Sequence, residues 1–148
     1  MSTGARWGEA ARLKAENVIH NRVTFVKTKT NTPRTVPISE EVTAYIVGNT
    51  RGFLFPDASY KVFRKILKAV KPDLPAGQAT HALRHSFATH FMINGGNIIT
   101  LQRILGHTKI AQTMVYAHFA PQYLQDAILL NPLKGESGGQ NVHITSTP

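Results

Sequence analysis

Between Asn17 and Lys27 the chain reads NVIHNRVTFVK, two β-branched runs on either side of His20-Asn21-Arg22. β-Branched side chains fit a pleated surface, and a short polar stretch between two such runs signals a hairpin. After a polar loop over 28–32, RTVPI from Arg34 to Ile38 returns as a third strand. Strands this close in sequence pair antiparallel, because a parallel pair needs a long crossover. Pro37 cannot donate to a ladder, so its strand lies at an edge or ends there. The sheet is therefore small, and the rest of the chain has to cover it.

That remainder reads as helices. Gly8 to Lys14 (GEAARLK) is rich in helix formers, with Arg6 near its start. Ser39 caps SEEVTAYIVG, with acids in the first turn and Gly48 at the end. Ser59 to Val70 is a helix with Phe63, Ile66, Leu67 and Val70 on one face. Lys61, Arg64, Lys65, Lys68 and Lys71 lie around the other, as a solvated basic face or as a surface for DNA. From Thr80 the pattern is helical throughout. Thr80 caps HALRHSFATHFMIN, which stops at Gly95-Gly96, and Asn97 caps IITLQRILG. A shorter stretch runs from Ile110 to Tyr116, and a last helix from Pro121 to Leu130. The expected fold is α+β and mainly α-helical, a small antiparallel three-stranded sheet packed against a helical bundle.

The length of 148 residues suits one domain. The body is expected over 1–133. The tail over 134–148 is polar and Gly/Ser-rich, and Val142 to Thr145 is either an edge strand or part of a disordered end. With no cysteine, disulfides, thiolate metal sites and a cysteine nucleophile are excluded, and a reducing cytoplasm fits. No apolar run approaches the ~20 residues that span a bilayer, and the N-terminus lacks a secretory h-region. The net charge of +9 and the pI of about 10.2 favour a polyanionic partner, nucleic acid before an anionic membrane.

Several short patterns carry chemistry. His81 and Arg84 in HALRH share a helix face near its N-terminus, where amides and dipole favour an anion. An arginine can clasp two phosphate oxygens at once. Taken alone, the pair also fits a surface histidine and a salt-bridged arginine. His81 and His85 have the i, i+4 spacing of zinc helices, yet HALRH lacks the glutamate of a metalloprotease and no third ligand is evident. His85 and His90 read as packed or surface histidines. Gly106 presents His107 from a loop, and Tyr116 follows in TMVYAH. A tyrosine is a poor nucleophile at its ordinary pKa of about 10 and needs a base or nearby positive charge. By itself it also fits a half-buried aromatic anchor.

The order of these patterns is more telling than any one of them. TGARWGE, then KTNTPRTVP, HALRHSFATH and LGHTKIAQTMVYAH succeed one another over residues 3 to 121. Together they resemble the tyrosine recombinase family, in particular the catalytic domains of temperate-phage integrases. That family carries TGxRxxE, K-x-x-x-x-R-x-V-P, HxLRHxxAT and LGHxxxxxTxxYxH in this order. The resemblance points to Arg6, Lys29, His81, Arg84, His107 and Tyr116 as the catalytic set, with Glu9 as structural support.

The resemblance implies a site-specific recombinase. Arg6 and Arg84 would hold the scissile phosphate, Tyr116 would attack it to give a 3′-phosphotyrosine, and Lys29 would protonate the leaving 5′-oxygen. His81 would accept or return the tyrosine proton, and His107 would hydrogen-bond a phosphate oxygen. Lys61, Arg64, Lys65 and Lys68 are candidates for DNA contact. The covalent link conserves the bond energy, so neither cofactor nor metal is expected. The implied partners are double-stranded attachment-site DNA and further integrase protomers, a tetramer on DNA with tails exchanged between protomers, in the cytoplasm of a bacterial host and away from membranes. Members usually have one or two helices before TGxR. The chain is thus expected to be a fragment lacking those helices and the N-terminal DNA-binding domains. Competing readings are a type IB topoisomerase-like enzyme, a basic DNA-binding module without catalysis, and a histidine-based metal hydrolase.

Overall fold

The computed structural model describes residues 2–26, 28, 32–122, 129, 130 and 132. Lys29, the 142–145 segment and the whole 134–148 tail lie outside them, as does most of the helix expected over 121–130.

The hairpin forms where the β-branched runs place it. Strand β1 spans Val18–Ile19 and β2 spans Arg22–Phe25. His20 and Asn21 turn between them with φ of 47° and 58°, the left-handed pair that a tight hairpin turn requires. Strand β3, Arg34–Pro37, pairs antiparallel with β2 to give the order β1-β2-β3. Among the described strands it lies at an edge, and Pro37 is its last residue, which spares the ladder a missing donor. The register sets Val23 opposite Val36 and Phe25 opposite Arg34. All four point to the buried face, while Thr24 and Thr35 bond through their hydroxyls at 2.9 Å on the other.

The first helix, α1 (Trp7–Ala11), is shorter than its composition suggests. Beyond it Leu13 is buried in the sheet core, its carbonyl accepts from the Leu54 amide, and Lys14 bridges to Phe53. Tertiary pairing outweighs helix propensity at Leu13 and Lys14. Ser39 caps α2 (Glu40–Val47) and Ser59 caps α3 (Tyr60–Val70) through their hydroxyls. On α3 only Phe63 and Leu67 of the apolar face are half-buried, and Ile66 and Val70 are exposed. Helix α4 (Ala79–Ile93) begins just before Thr80, which lies in its first turn instead of capping it. Asn97 caps α5 (Ile98–Leu105) by accepting from the amides of Ile99 and Thr100. The stretch from Ile110 to Tyr116 contains the short helix α6 (Ala111–Met114), and a 3-10 turn follows at Ala117–Phe119.

Among the described residues two apolar clusters form the core. Leu13, Val23, Phe25, Val36 and Leu54 close one face of the sheet. Ala88, Met92, Leu101, Leu105 and Tyr116 fill the space between α4, α5 and the chain after α6. The candidate site lies on the seam between them. Among the described residues no helix is long and apolar enough to cross a membrane.

Candidate active site

The seam is held by one carboxylate and three arginines. Glu9, on α1, is 5% exposed. Both its oxygens accept from Arg34 at 2.7 Å, and it also accepts from the Arg6 amide at 2.8 Å and the Arg6 guanidinium at 3.2 Å. Burial pushes its pKa up. The hydrogen bonds from Arg34 and the Arg6 amide, with both guanidinium charges, outweigh that and hold it at about 2. Arg34 reaches this position because strand alternation turns it inward beside Val36. Its Nε donates to the Ile104 carbonyl of α5 at 2.8 Å, and its guanidinium lies 4.6 Å from the centre of the Phe25 ring. One side chain thus ties sheet, α1 and α5 together.

Arg84 is bound differently. It is 4% exposed, and its two terminal nitrogens donate to backbone carbonyls, Gly4 at 2.9 Å and Leu105 at 2.5 Å. Carbonyls orient a guanidinium without cancelling its charge. Burial, then the charges of Arg6 and Arg34, lower its pKa to about 10, so it remains a cation at neutral pH. Gly4 makes this contact possible. Its φ is +58°, and a Cβ there would lie 2.6 Å from Phe87 and 2.9 Å from Leu105.

Around this cation the other residues assemble. His107 follows the α5 C-cap Gly106 and shares a 2.9 Å hydrogen bond with the Thr113 hydroxyl through Nδ1. Burial, with the charges of Arg84, Arg6 and Arg34, lowers its pKa to about 4. Tyr116 leaves the end of α6 with its ring packed in the helical core, 6% exposed. Burial raises its pKa and Arg84 partly opposes this. His81 stands exposed in the first turn of α4. Arg6, Arg84, His107 and Tyr116 therefore gather at one place although 110 positions separate the first from the last. Lys61, Arg64, Lys65 and Lys68 lie exposed along α3, which Phe63 docks by stacking on Trp7 at 4.4 Å, next in sequence to Arg6.

Two residues of this arrangement are absent from the sequence-based set. Arg34 stands in the K-x-x-x-x-R-x-V-P pattern, and its signal is a cation at an inward strand position. His85 lies at the surface, one of the two places that its sequence context allows, but it is not idle. Its Nδ1 lies 2.5 Å from the Tyr116 hydroxyl, the place in the site that the resemblance assigns to His81. No local pattern reveals that pairing, which spans 31 positions. The His81 and His85 rings stand 6.1 Å apart. Among the described residues no group of three or more His, Asp or Glu side chains is placed to hold a metal ion.

Comparison with known proteins gives a consistent picture. The profile of the phage integrase family matches residues 1–122. The integrase of Escherichia phage P2 is 78% identical over 147 residues, 99% of this chain and 44% of that protein. The chain thus spans less than half the length of that curated relative. The catalytic domain of the bacteriophage HP1 integrase superposes with a TM-score of 0.82 at 48% identity, over 93% of this chain and 80% of that one. The XerA recombinase superposes with a TM-score of 0.61 at 26% identity, over 88% and 55%.

Proposed function

The chain belongs to the phage integrase family, and on that premise we propose that it is the strand-transfer centre of a site-specific recombinase acting on attachment-site DNA in a bacterial host. The observation that carries the proposal is the charge balance of the seam. Arg6 and Arg34 share Glu9, while Arg84 is held by two backbone carbonyls and stays positive, its charge felt at Tyr116. A preorganised cation of this kind stabilises the charge of a pentacoordinate phosphate without reorganising.

Arg84 and Arg6 bind the non-bridging oxygens of the scissile phosphate. Tyr116 attacks in line, forming a 3′-phosphotyrosine as the 5′-oxygen departs, and Lys29 protonates that oxygen. His81 offers its imidazole to the phosphate at the N-terminal turn of α4. His107, neutral in the free site, gains a proton or donates a hydrogen bond once a phosphate dianion-like charge stands beside it. A 5′-hydroxyl of a second strand then displaces the tyrosine and reseals the DNA. The basic face of α3 contacts the duplex backbone, and further protomers complete a tetramer on DNA.

A nicked duplex spanning the attachment site tests this, because loss of the short 5′ fragment traps the intermediate. A covalent adduct mapped by mass spectrometry to the Tyr116 peptide, and lost in Tyr116→Phe, is the expected result. Unchanged adduct in Tyr116→Phe, or none with the unaltered protein, would sink the proposal. A purely DNA-binding module would bind equally well in both forms and never form an adduct.

A further inference from the structure

We propose that His85 is the base that removes the phenolic proton of Tyr116, a role that rests on the reading of Tyr116 as the nucleophile. The geometry is direct. Nδ1 of His85 lies 2.5 Å from the Tyr116 hydroxyl, and the two ring centres are 5.8 Å apart with a 47° tilt. A general base has to be within hydrogen-bond reach of the proton that it takes.

The fold holds both partners in this pose. Arg84 and His85 are consecutive on α4, so their side chains leave the helix about 100° apart, as 3.6 residues per turn dictates. Arg84 turns inward to its two carbonyls, and His85 emerges at the exposed edge. Tyr116 arrives from the other side, its ring gripped by Ala88, Met92, Leu101 and Leu105. With the ring body packed, its hydroxyl has little freedom to point elsewhere.

The protonation states agree with the geometry. His85 is faced by His81 and Arg84 from α4, by Tyr116 from beyond α6, and it shares the local field of His107 from the loop after α5. Burial first, then the charges of His81 and Arg84, lower its pKa, so at neutral pH it is uncharged and can accept on Nδ1 with its proton on Nε2. Tyr116 is kept protonated by burial until the attack begins. In the step itself the Tyr116 oxygen bonds to phosphorus while the P–O5′ bond breaks and its electron pair stays on O5′. The phenolic proton passes to His85 Nδ1, giving an imidazolium, and O5′ takes its own proton from the acid assigned above to Lys29. On resealing, the incoming 5′-hydroxyl oxygen bonds to phosphorus and gives its proton to the now neutral Lys29 amine, the P–O bond to Tyr116 breaks, and His85 returns the proton to the phenolate.

The test is single-turnover cleavage of the nicked attachment-site duplex between pH 5 and 8 with the unaltered protein, His85→Asn and His85→Ala. Asparagine places an acceptor oxygen where Nδ1 stood but takes no proton. Both variants should form the Tyr116 adduct about 100-fold more slowly or worse, the range that a lost general base produces. The unaltered rate should fall as pH drops through an inflection below 6.5. That inflection should vanish in His85→Asn, and added imidazole should restore part of the rate in His85→Ala. Cleavage by His85→Asn at the unaltered rate and with the same pH profile would overturn the assignment while leaving Tyr116 the nucleophile. Failure of the unaltered protein to form any adduct would overturn both.

Discussion

Glu9 shows how much one residue can organise. It is the shared counter-ion of Arg6 and Arg34, almost fully buried, and its loss leaves two guanidinium groups without their carboxylate. Glu9→Gln should therefore cost about 3–5 kcal/mol, the range for breaking a buried pair from one side, read from urea unfolding at pH 7. The acid dependence has a defined sign. Because the folded pKa is about 2 against an ordinary 4.5, the Glu9 contribution is complete above pH 4.5 and disappears as pH falls toward 2. The Gln variant should lack that portion of the acid transition. His107 behaves in the same direction over another window. Its folded pKa of about 4 lies under the ordinary 6.5, so stability from this group is full above 6.5 and declines toward pH 4. An anion in the site offsets the arginine charges that depress it. Proton NMR should find the His107 midpoint near 4 in the free chain and higher with sulfate present.

At the level of elements, the termini of α5 matter more than its middle. Asn97 fixes where it starts, and Gly106 fixes where it ends. The φ of +65° at Gly106 is the left-handed conformation that side chains resist, and a Cβ there would lie 2.9 Å from the Arg34 side chain. Gly106→Ala should lose about 1–2 kcal/mol to backbone strain alone. It should also slow adduct formation, because displacing Arg34 disturbs Glu9 and Arg6. Gly106→Asn separates the two effects: asparagine tolerates the left-handed region but still meets Arg34. A stability loss in the alanine variant with no change in cleavage would show that the turn does not transmit to the site. α1 is the counter-example to local propensity. Its composition favours a helix through Lys14, yet it stops at Ala11 because Leu13 and Lys14 gain more from the sheet core and the bridge to Phe53.

For the molecule as a whole, charge sets how it meets DNA. A net charge of +9 concentrated toward α3 and the arginine seam should make duplex affinity steeply salt-dependent. Removing one cation that neutralises a phosphate lowers the log–log salt slope by about 0.9. Neutralising Lys61, Arg64, Lys65 and Lys68 to glutamine together should flatten the slope by several such steps, measured by fluorescence anisotropy between 50 and 200 mM salt. An unchanged slope would return that face to the role of a solvated surface. The exposed Ile66 and Val70 on the same helix leave the salt slope unaltered, since apolar contact releases no counterions.

The hairpin, the small antiparallel sheet and the starts of α2, α3 and α5 were legible in the residues, because turn chemistry, strand alternation and caps act over a few positions, whereas Thr80 proved to lie inside α4. The gathering of Arg6, Arg84, His107 and Tyr116 was legible too, through motif order. Burial and pairing were not. Arg34 became the buried partner of Glu9 because β3 packs against α5. His85 became the partner of the Tyr116 hydroxyl because the helical core grips that ring and aims it. Both pairings join residues far apart in sequence, and their energies depend on dielectric and distance, which only the folded chain supplies.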